Sequence, residues 1–195
     1  MKRTALILAL LVLASGCSEA RAVQTVATAS VPVQSVTEAD EPVRTETDSG
    51  LTITPSGNVY TPDVPLSYGW QCAVQDACRR FDVPYSLALA VAETESQFDF
   101  DAWSGYAYGL MQIAPVNYDR LRKLGMDPET KLGNIEAGVY MLSELLNRYG
   151  DEHLALMAYN CGESGADELW NAGHTSSDYS VLVMRRAEKW AQIVE

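Results

Sequence analysis

The run Leu87–Ala92, LALAVA, constrains this chain more than any other stretch. Six consecutive small or apolar residues describe a helix that is buried nearly all round. Two carboxylates, Glu93 and Glu95, follow at once. On a helical wheel Glu95 falls on the side of Leu87, Ala88, Val91 and Ala92, and Glu93 falls opposite, near Leu89 and Ala90. Glu95 is therefore the carboxylate carried by the central apolar face, at the point where the helix ends. Desolvation there disfavours its charged form. A carboxylic acid kept protonated near neutral pH is what glycosidic cleavage requires, because the leaving oxygen must receive a proton. A solvated surface Glu is the commoner case at a helix end, and the wheel does not separate the two. The residues around Glu95 do.

The chain opens MKRTALILALLVLASGCSEA. Lys2 and Arg3 form a basic n-region and Ala5–Ala14 an apolar h-region, well short of the roughly 20 residues of a membrane-spanning helix. Residues 1–16 read as a secretory signal peptide and stand outside the fold argument. Ala14-Ser15-Gly16-Cys17 places small residues directly before a cysteine. This resembles a bacterial lipobox, in which the cysteine is lipidated and becomes the mature N-terminus. The departure is Ala14, where Leu is usual, and ordinary signal-peptidase cleavage is the competing reading. The lipobox reading makes Cys17 a lipid anchor and the protein an extracytoplasmic lipoprotein of a bacterial envelope, tethered to a membrane without spanning it.

Residues 17–61 are rich in Thr, Ser, Val, Ala, Glu and Asp, with no Trp or Phe and one Tyr, Tyr60. Such a segment is expected to be a disordered acidic tether. The folded unit is expected over 62–195, where all four Trp and both His lie. It is long enough for one domain with one core.

Helix is expected almost throughout this unit. The predicted helices are Tyr68–Phe81, Pro84 to about Gln97, and a short Tyr118–Lys123 closed by Gly125. Lys131–Tyr149 carries Ile135, Val139, Leu142, Leu145, Leu146 and Tyr149 at i, i+3, i+4 spacing, and Gly150 ends it. Asp151 caps a helix to Ala158. Ser177 caps the last helix, striped by Tyr179, Leu182, Val183, Trp190 and Ile193. The fold class is all-α, with one long irregular loop over 99–108. Loops of that length inside helical domains usually carry function.

The formal charge of −12 divides as +2 on the signal, −4 on the tether and −10 on the domain. That acidity argues against nucleic acid and against docking on anionic lipid by charge. A polymer bound here is held by hydrogen bonds and aromatic stacking. Besides Cys17 there are Cys72, Cys78 and Cys161. Cys72 and Cys78 do not share a helix face, no CxxC occurs, and His153 and His174 are isolated. No metal site or cofactor is expected. A disulfide from Cys161 to Cys72 or Cys78 and three free thiols both remain open.

Taken together, ESQF at Glu95–Phe98, Ser104, GLMQ at Gly109–Gln112, NIEAGVYML, and AYN-x-G at Ala158–Gly162 resemble the lytic transglycosylases of the soluble-transglycosylase, goose-type-lysozyme-like family. Each string is weak alone; their order and spacing carry the match, from about Ser67 to Trp190. The resemblance implies a lysozyme-like helical domain with a substrate cleft. It implies a monomer acting on peptidoglycan glycan strands, with no cofactor. The bond cut joins N-acetylmuramic acid to N-acetylglucosamine, leaving 1,6-anhydromuramic ends.

Residue by residue, the resemblance makes Glu95 the single catalytic acid/base and Ser96 the support of its helix end. Ser104 becomes a loop serine near the bound sugar. Gly109, Met111 and Gln112 line the cleft, Gly letting the backbone approach the glycan. Tyr159 becomes a tyrosine whose hydroxyl contacts the catalytic carboxyl, Asn160 its neighbour, and Tyr179 a cleft-facing tyrosine of the last helix. Met111 as core and Asn160 as a helix cap are the plain alternatives. The sequence departs from the family in a loop one residue shorter before Gly109, in Ala114 for Met, and in Cys161 and Glu163 for Ala and Pro.

The shortened loop is aromatic. Tyr106 and Tyr108 alternate with Ala107 and are expected to face the cleft as a sugar wall, and Trp103 is expected in the core. Asp99 and Asp101 are the nearest second carboxylates, on a loop with no evident orienting partner. In the implied mechanism Glu95 protonates the leaving oxygen while the substrate's N-acetyl group stabilises the cationic sugar. It then takes a proton from the 6-hydroxyl. The alternatives are a hydrolytic lysozyme on the same fold and a non-catalytic wall-binding lipoprotein.

Overall fold

The computed structural model describes residues 57–195, together with the backbone of residues 45–46 and 52–53. The expected signal peptide and Cys17 lie outside the described residues. The helices are α1 (Tyr68–Phe81), α2 (Tyr85–Ser96), α3 (Tyr118–Lys123), α4 (Lys131–Tyr149), α5 (Glu152–Asn171) and α6 (Asp178–Val194). A 3-10 turn at Pro115–Asn117 leads into α3. The fold is all-α in its helical body, as the periodicity predicts.

The boundaries follow local chemistry. Pro84 precedes α2, and Gln97 closes it in the left-handed region (φ 55°), its N–H donating to Glu93 C=O while Phe98 N–H donates to Ala92 C=O. Thr130 caps α4 by accepting from Gly133 N–H, and Gly150 ends it with φ 64°. Asp151 caps α5 by accepting from Leu154 N–H. Ser177 and Ser180 form a reciprocal capping box at α6.

Helix α2 is the axis of the domain. Every residue from Ser86 to Ala92 is buried. It packs against α6 and α1; α4 in turn packs on α1 and α5. Leu89, Leu110, Met111, Ile113, Leu121, Ile135 and Leu142 fill the core around it. Helix α4 comes so close to residue 111 that a Cβ at Gly138 would lie 2.4 Å from Met111 Cβ.

Two segments extend beyond their expected bounds. Strand β3 (Val59–Tyr60) lies on α1, antiparallel to β2 (Thr52–Ile53), which pairs in turn with β1 (Thr45–Glu46). The end of the expected tether is therefore structured. Two buried glutamines of α1 hold it. The Gln75 side chain accepts from Val59 N–H at 2.7 Å and donates to Val59 C=O at 2.6 Å. The Gln71 amide donates to the carbonyls of Thr61 and Leu66 at 2.8 and 2.9 Å. These bonds satisfy a short extended strand that its own composition does not stabilise. The second segment is α5, which runs on to Asn171 but is broken at Gly162, φ 74° and ψ 162°. Glycine is the residue that takes this conformation without strain.

Candidate active site

Glu95 sits in the last turn of α2, where the apolar run gives out. Its Oε1 accepts a 2.5 Å hydrogen bond from the Tyr179 hydroxyl on α6. Among the described residues Oε2 has no hydrogen-bond partner. Burial pushes the Glu95 pKa from 4.5 up to about 7, against the Tyr179 bond, which pulls it down. Glu95 as a residue is intermediate in burial. Burial and the negative field of Glu95 raise both Tyr159 and Tyr179 well above the ordinary phenol range. Both stay protonated donors.

The helix end is clamped from three directions. Trp190 Nε1 donates to Glu93 Oε2 at 2.8 Å, and Arg186 Nε lies 3.5 Å from Glu93 Oε1. Arg186 also donates to the Thr94 hydroxyl at 2.8 Å. Glu93 thus anchors α2 to α6, and the Tyr179 bond ties Glu95 to the same helix. Ser96 Oγ lies 3.1 Å from Ala92 C=O and 2.8 Å from Leu110 C=O. It joins the acid's helix to the GLMQ segment.

Several expectations for that segment change. The Met111 side chain is 1% exposed and belongs to the core, so it does not line the cleft. Its backbone matters instead: Met111 N–H donates to Asn134 Oδ1 at 2.9 Å and its carbonyl accepts from the Tyr159 hydroxyl at 2.9 Å. Tyr159 therefore braces the segment, and Tyr179 is the tyrosine that bonds the carboxyl. Gly109 is buried with φ 81°, and a Cβ there would lie 2.6–2.8 Å from the Asn134 amide. What approaches Gly109 closely is a side chain of α4 rather than open groove. Gln112, also at positive φ (47°), donates to the carbonyls of Ala102 and Gly109 at 3.1 and 2.9 Å.

Asn134 is the residue that sequence reasoning missed. It is 1% exposed and also donates to the carbonyls of Tyr108 and Pro128, each at 3.0 Å. The signal was present as the first letter of NIEAGVYML. A polar residue inside the stripe of α4 has to be satisfied by something, and here it is the backbone around Gly109.

In the loop, Ser104 Oγ accepts from Ala107 N–H at 3.0 Å and pins a turn through Gly105, φ 91°. Tyr106 is 51% exposed. Trp103 is 60% exposed, against the expectation that it is core. Tyr108 bridges to Trp103 on one side and Ile113 on the other. Its ring does not join the Glu95 cluster. It lines a pocket with Trp103, Pro115, Tyr118 and Glu129. Among the described residues, no hydrogen bond connects that pocket's lining to Glu95, Tyr159 or Tyr179. Asn160 is exposed just before the break at Gly162. Cys72, Cys78 and Cys161 are all thiols. Burial pushes Cys78 up to about 12. Among the described residues no helix is long and apolar enough to cross a membrane.

Among the described residues no other carboxylate bonds to Glu95, Tyr159 or Tyr179. Asp99 Oδ1 accepts from Asp101 N–H at 2.9 Å, Asp101 takes the Tyr108 hydroxyl at 3.4 Å, and both aspartates are exposed. The arrangement offers one half-buried acid that gains or loses a proton near neutrality, held by a neutral phenol.

Known proteins share this architecture. An inactive mutant of lytic transglycosylase Slt from Pseudomonas aeruginosa superposes with a TM-score of 0.56 over 68% of this chain and 26% of its own, at 22% identity. Protein IpgF of Shigella flexneri is 35% identical over 97 residues, 45% of this chain and 64% of IpgF. The transglycosylase of Enterobacteria phage PRD1 is 32% identical over 117 residues, 60% of this chain and 42% of the phage protein. Membrane-bound lytic murein transglycosylase C of Haemophilus influenzae is 29% identical over 129 residues, 57% of this chain and 36% of the relative. The chain spans less than two thirds of the length of each. The Transglycosylase SLT domain profile matches residues 73–181, from the first helix through Glu95, GLMQ and Asn134 to Tyr179. The acid, its phenol and the braced floor all fall within that match, and the chain belongs to the transglycosylase SLT family.

Proposed function

We propose that this protein is a peptidoglycan lytic transglycosylase. It cleaves the bond between N-acetylmuramic acid and N-acetylglucosamine with Glu95 as the single acid/base, and it leaves 1,6-anhydromuramic ends. The observation that carries the reading is the state of Glu95: a desolvated carboxyl with its pKa raised to about 7, fixed at Oε1 by Tyr179 and, among the described residues, unbonded at Oε2. Protonated Oε2 delivers its proton to the leaving glycosidic oxygen. The substrate's N-acetyl group stabilises the sugar cation that forms. The Glu95 carboxylate then removes the proton of the 6-hydroxyl, whose oxygen closes the anhydro ring. Each cycle returns Glu95 to its protonated form. Tyr179 remains a donor throughout and strengthens its bond while Glu95 is charged.

A two-carboxylate hydrolase needs a second acid across the sugar. Asp99 and Asp101 are exposed and engaged within their own loop, which favours the one-acid route. Gln112, Asn160, Ser104 and Tyr106 are the sugar-contacting groups of this reading, with Tyr159 and the backbone of Gly109 and Met111 forming the floor beneath them. The acylated Cys17 places the enzyme at a membrane of the envelope. Cys17→Ser releases it or leaves the precursor unprocessed, seen by fractionation and gel migration.

Digestion of purified sacculi with product mass analysis tests the chemistry. Anhydro ends are lighter by one water than hydrolytic ends, so a product set carrying the full water makes the enzyme a lysozyme. Binding to sacculi without turnover would make it a wall-binding protein.

A further inference from the structure

The pocket under Tyr108 has a volume of about 360 Å³ and is lined by Trp103, Tyr108, Pro115, Tyr118 and Glu129. It has three aromatic walls and one carboxylate, and none of these groups takes part in the Glu95 cluster. Its electrostatics have one sign. Tyr108 is raised from the usual phenol range by desolvation and then by Asp101, Asp99 and Glu129. Tyr118 is raised by desolvation and by Glu129 and Asp127, with Arg122 acting against them. Four carboxylates face one guanidinium.

The same wall already holds a cation. The Arg122 guanidinium lies 5.3 Å from the Tyr118 ring centroid and pairs with Asp127 at 3.1 Å and with Glu129. That pairing uses one face of Tyr118 and, among the described residues, leaves the Trp103 and Tyr108 walls, Asp99 and Asp101 without a basic partner in an ion pair. A pocket of ring faces under a negative field selects a cation. An anion is repelled, and a neutral sugar, which can donate hydroxyls to the same carboxylates, gains no net charge attraction from them. The volume admits a short alkyl chain ending in an ammonium.

We propose that this pocket binds the side-chain ammonium of a diamino acid in an un-cross-linked peptide stem of the glycan. The inference rests on the reading of peptidoglycan as substrate. The stem's methylenes lie on Trp103 and Tyr108, and its ammonium points to Glu129. The acidity that repels the carboxylates of the wall thus favours strands whose amines are free of cross-links.

The test uses the full chain carrying Glu95→Gln, so that binding is read without turnover. The probes are the tetrapeptide Ala-γ-Glu-Lys-Ala with its ε-amine free and the same peptide ε-acetylated. The readout is the Trp103 indole N–H resonance, assigned with Trp103→Phe. The free-amine peptide is expected to shift it and to bind about three- to tenfold more tightly than the acetylated one. Adding Glu129→Gln is expected to bring the two peptides level. Equal binding of both peptides without that second change overturns the proposal. So does an equal shift by chitotetraose, which would make the pocket a sugar subsite. Equally tight binding of an unrelated lysine peptide would reassign it to a basic protein partner and likewise overturn it. In the Glu95 enzyme, acetylating the free amines of sacculi is expected to raise KM by about threefold with kcat unchanged. Absence of anhydro product from either sacculus sinks the catalytic reading and leaves the peptide titration to stand on its own.

Discussion

The Tyr179 hydroxyl reaches across 84 residues of sequence to donate to Glu95 at 2.5 Å. Two effects of opposite sign meet at that oxygen. Burial drives the carboxyl toward its neutral form, and the phenol's hydrogen bond favours the charged one. Burial wins, but the phenol stops it from winning outright. A free carboxyl would be ionised through the neutral range, and an unassisted buried one would hold its proton too tightly to give it up. The pair sets the acid near the pH at which both halves of a proton-transfer cycle are feasible.

The pH dependence of turnover follows. Glu95 must be protonated in the free enzyme and becomes a base only by having donated its proton. On sacculi or defined glycans, kcat/KM is expected to be level below pH 7 and to fall about tenfold per unit above it. A profile level to pH 9 would remove Glu95 from the role of acid.

Tyr179→Phe deletes the bond that lowers the Glu95 pKa and leaves the ring in place. The alkaline limb of kcat/KM is expected to move to higher pH. Stability is expected to change by about 1–2 kcal/mol in denaturant titrations. A merely structural tyrosine would change stability without moving the limb.

Stability carries the same signature with a definite sign. The folded pKa of Glu95 lies above its unfolded value, so the folded state binds more protons between about 4.5 and 7. Its contribution is fully present below pH 4.5 and is lost as pH rises through 7. The loss is on the order of 3 kcal/mol at most. Glu95→Gln cannot ionise. Its melting temperature is expected to exceed that of the native protein at pH 8 by several degrees, with the gap closing toward pH 5.

Asn134→Ala should be among the costlier single changes near the groove. It leaves Met111 N–H and the carbonyls of Tyr108 and Pro128 without their partner in a buried setting. The expected destabilisation is about 2–4 kcal/mol by chemical denaturation. Turnover per folded molecule should also fall, because the backbone of 109–112 loses its clamp. Unchanged turnover per folded molecule would mean that the floor keeps its shape without Asn134.

Tyr106→Ala should do the reverse. At 51% exposure the side chain packs on little protein, and stability is expected to stay within about 0.5 kcal/mol. Glycan turnover should weaken, chiefly in KM. A collapse of stability with turnover intact would make the loop a packing element.

The helices were legible because their signals are local. LALAVA, the Gly150 stop and the Asp151 and Ser177 caps each act within one or two turns. Glu95 was legible because the wheel assigns it to the buried face. The roles of Met111 and Gly109 were not, since they depend on α4 passing close by at Gly138 and Asn134, a contact with no local trace. That Tyr179 rather than Tyr159 bonds the carboxyl has the same origin. Both are tyrosines near one carboxyl, and the crossing of helices decides which hydroxyl arrives. Trp103 was misplaced by a rule about average burial that a short irregular loop does not obey. The bonds at Val59 and Thr61 have no local trace either, because Gln71 and Gln75, polar letters on a helix, are the groups that make them.

The hydroxyl of Ser96 bridges the helix of the acid and the carbonyl of Leu110. This joint lies outside the loop 99–108, which leaves from one side of it and returns on the other. Among the described residues, only the backbone of the loop's two ends, at Ala102 and Tyr108, is bonded to the floor, so the exposed tip at 103–106 can change its aromatics while the joint keeps the distance between acid and floor. Substrate preference and bond cleavage become separable traits of one chain, so that one can drift while the other is held still.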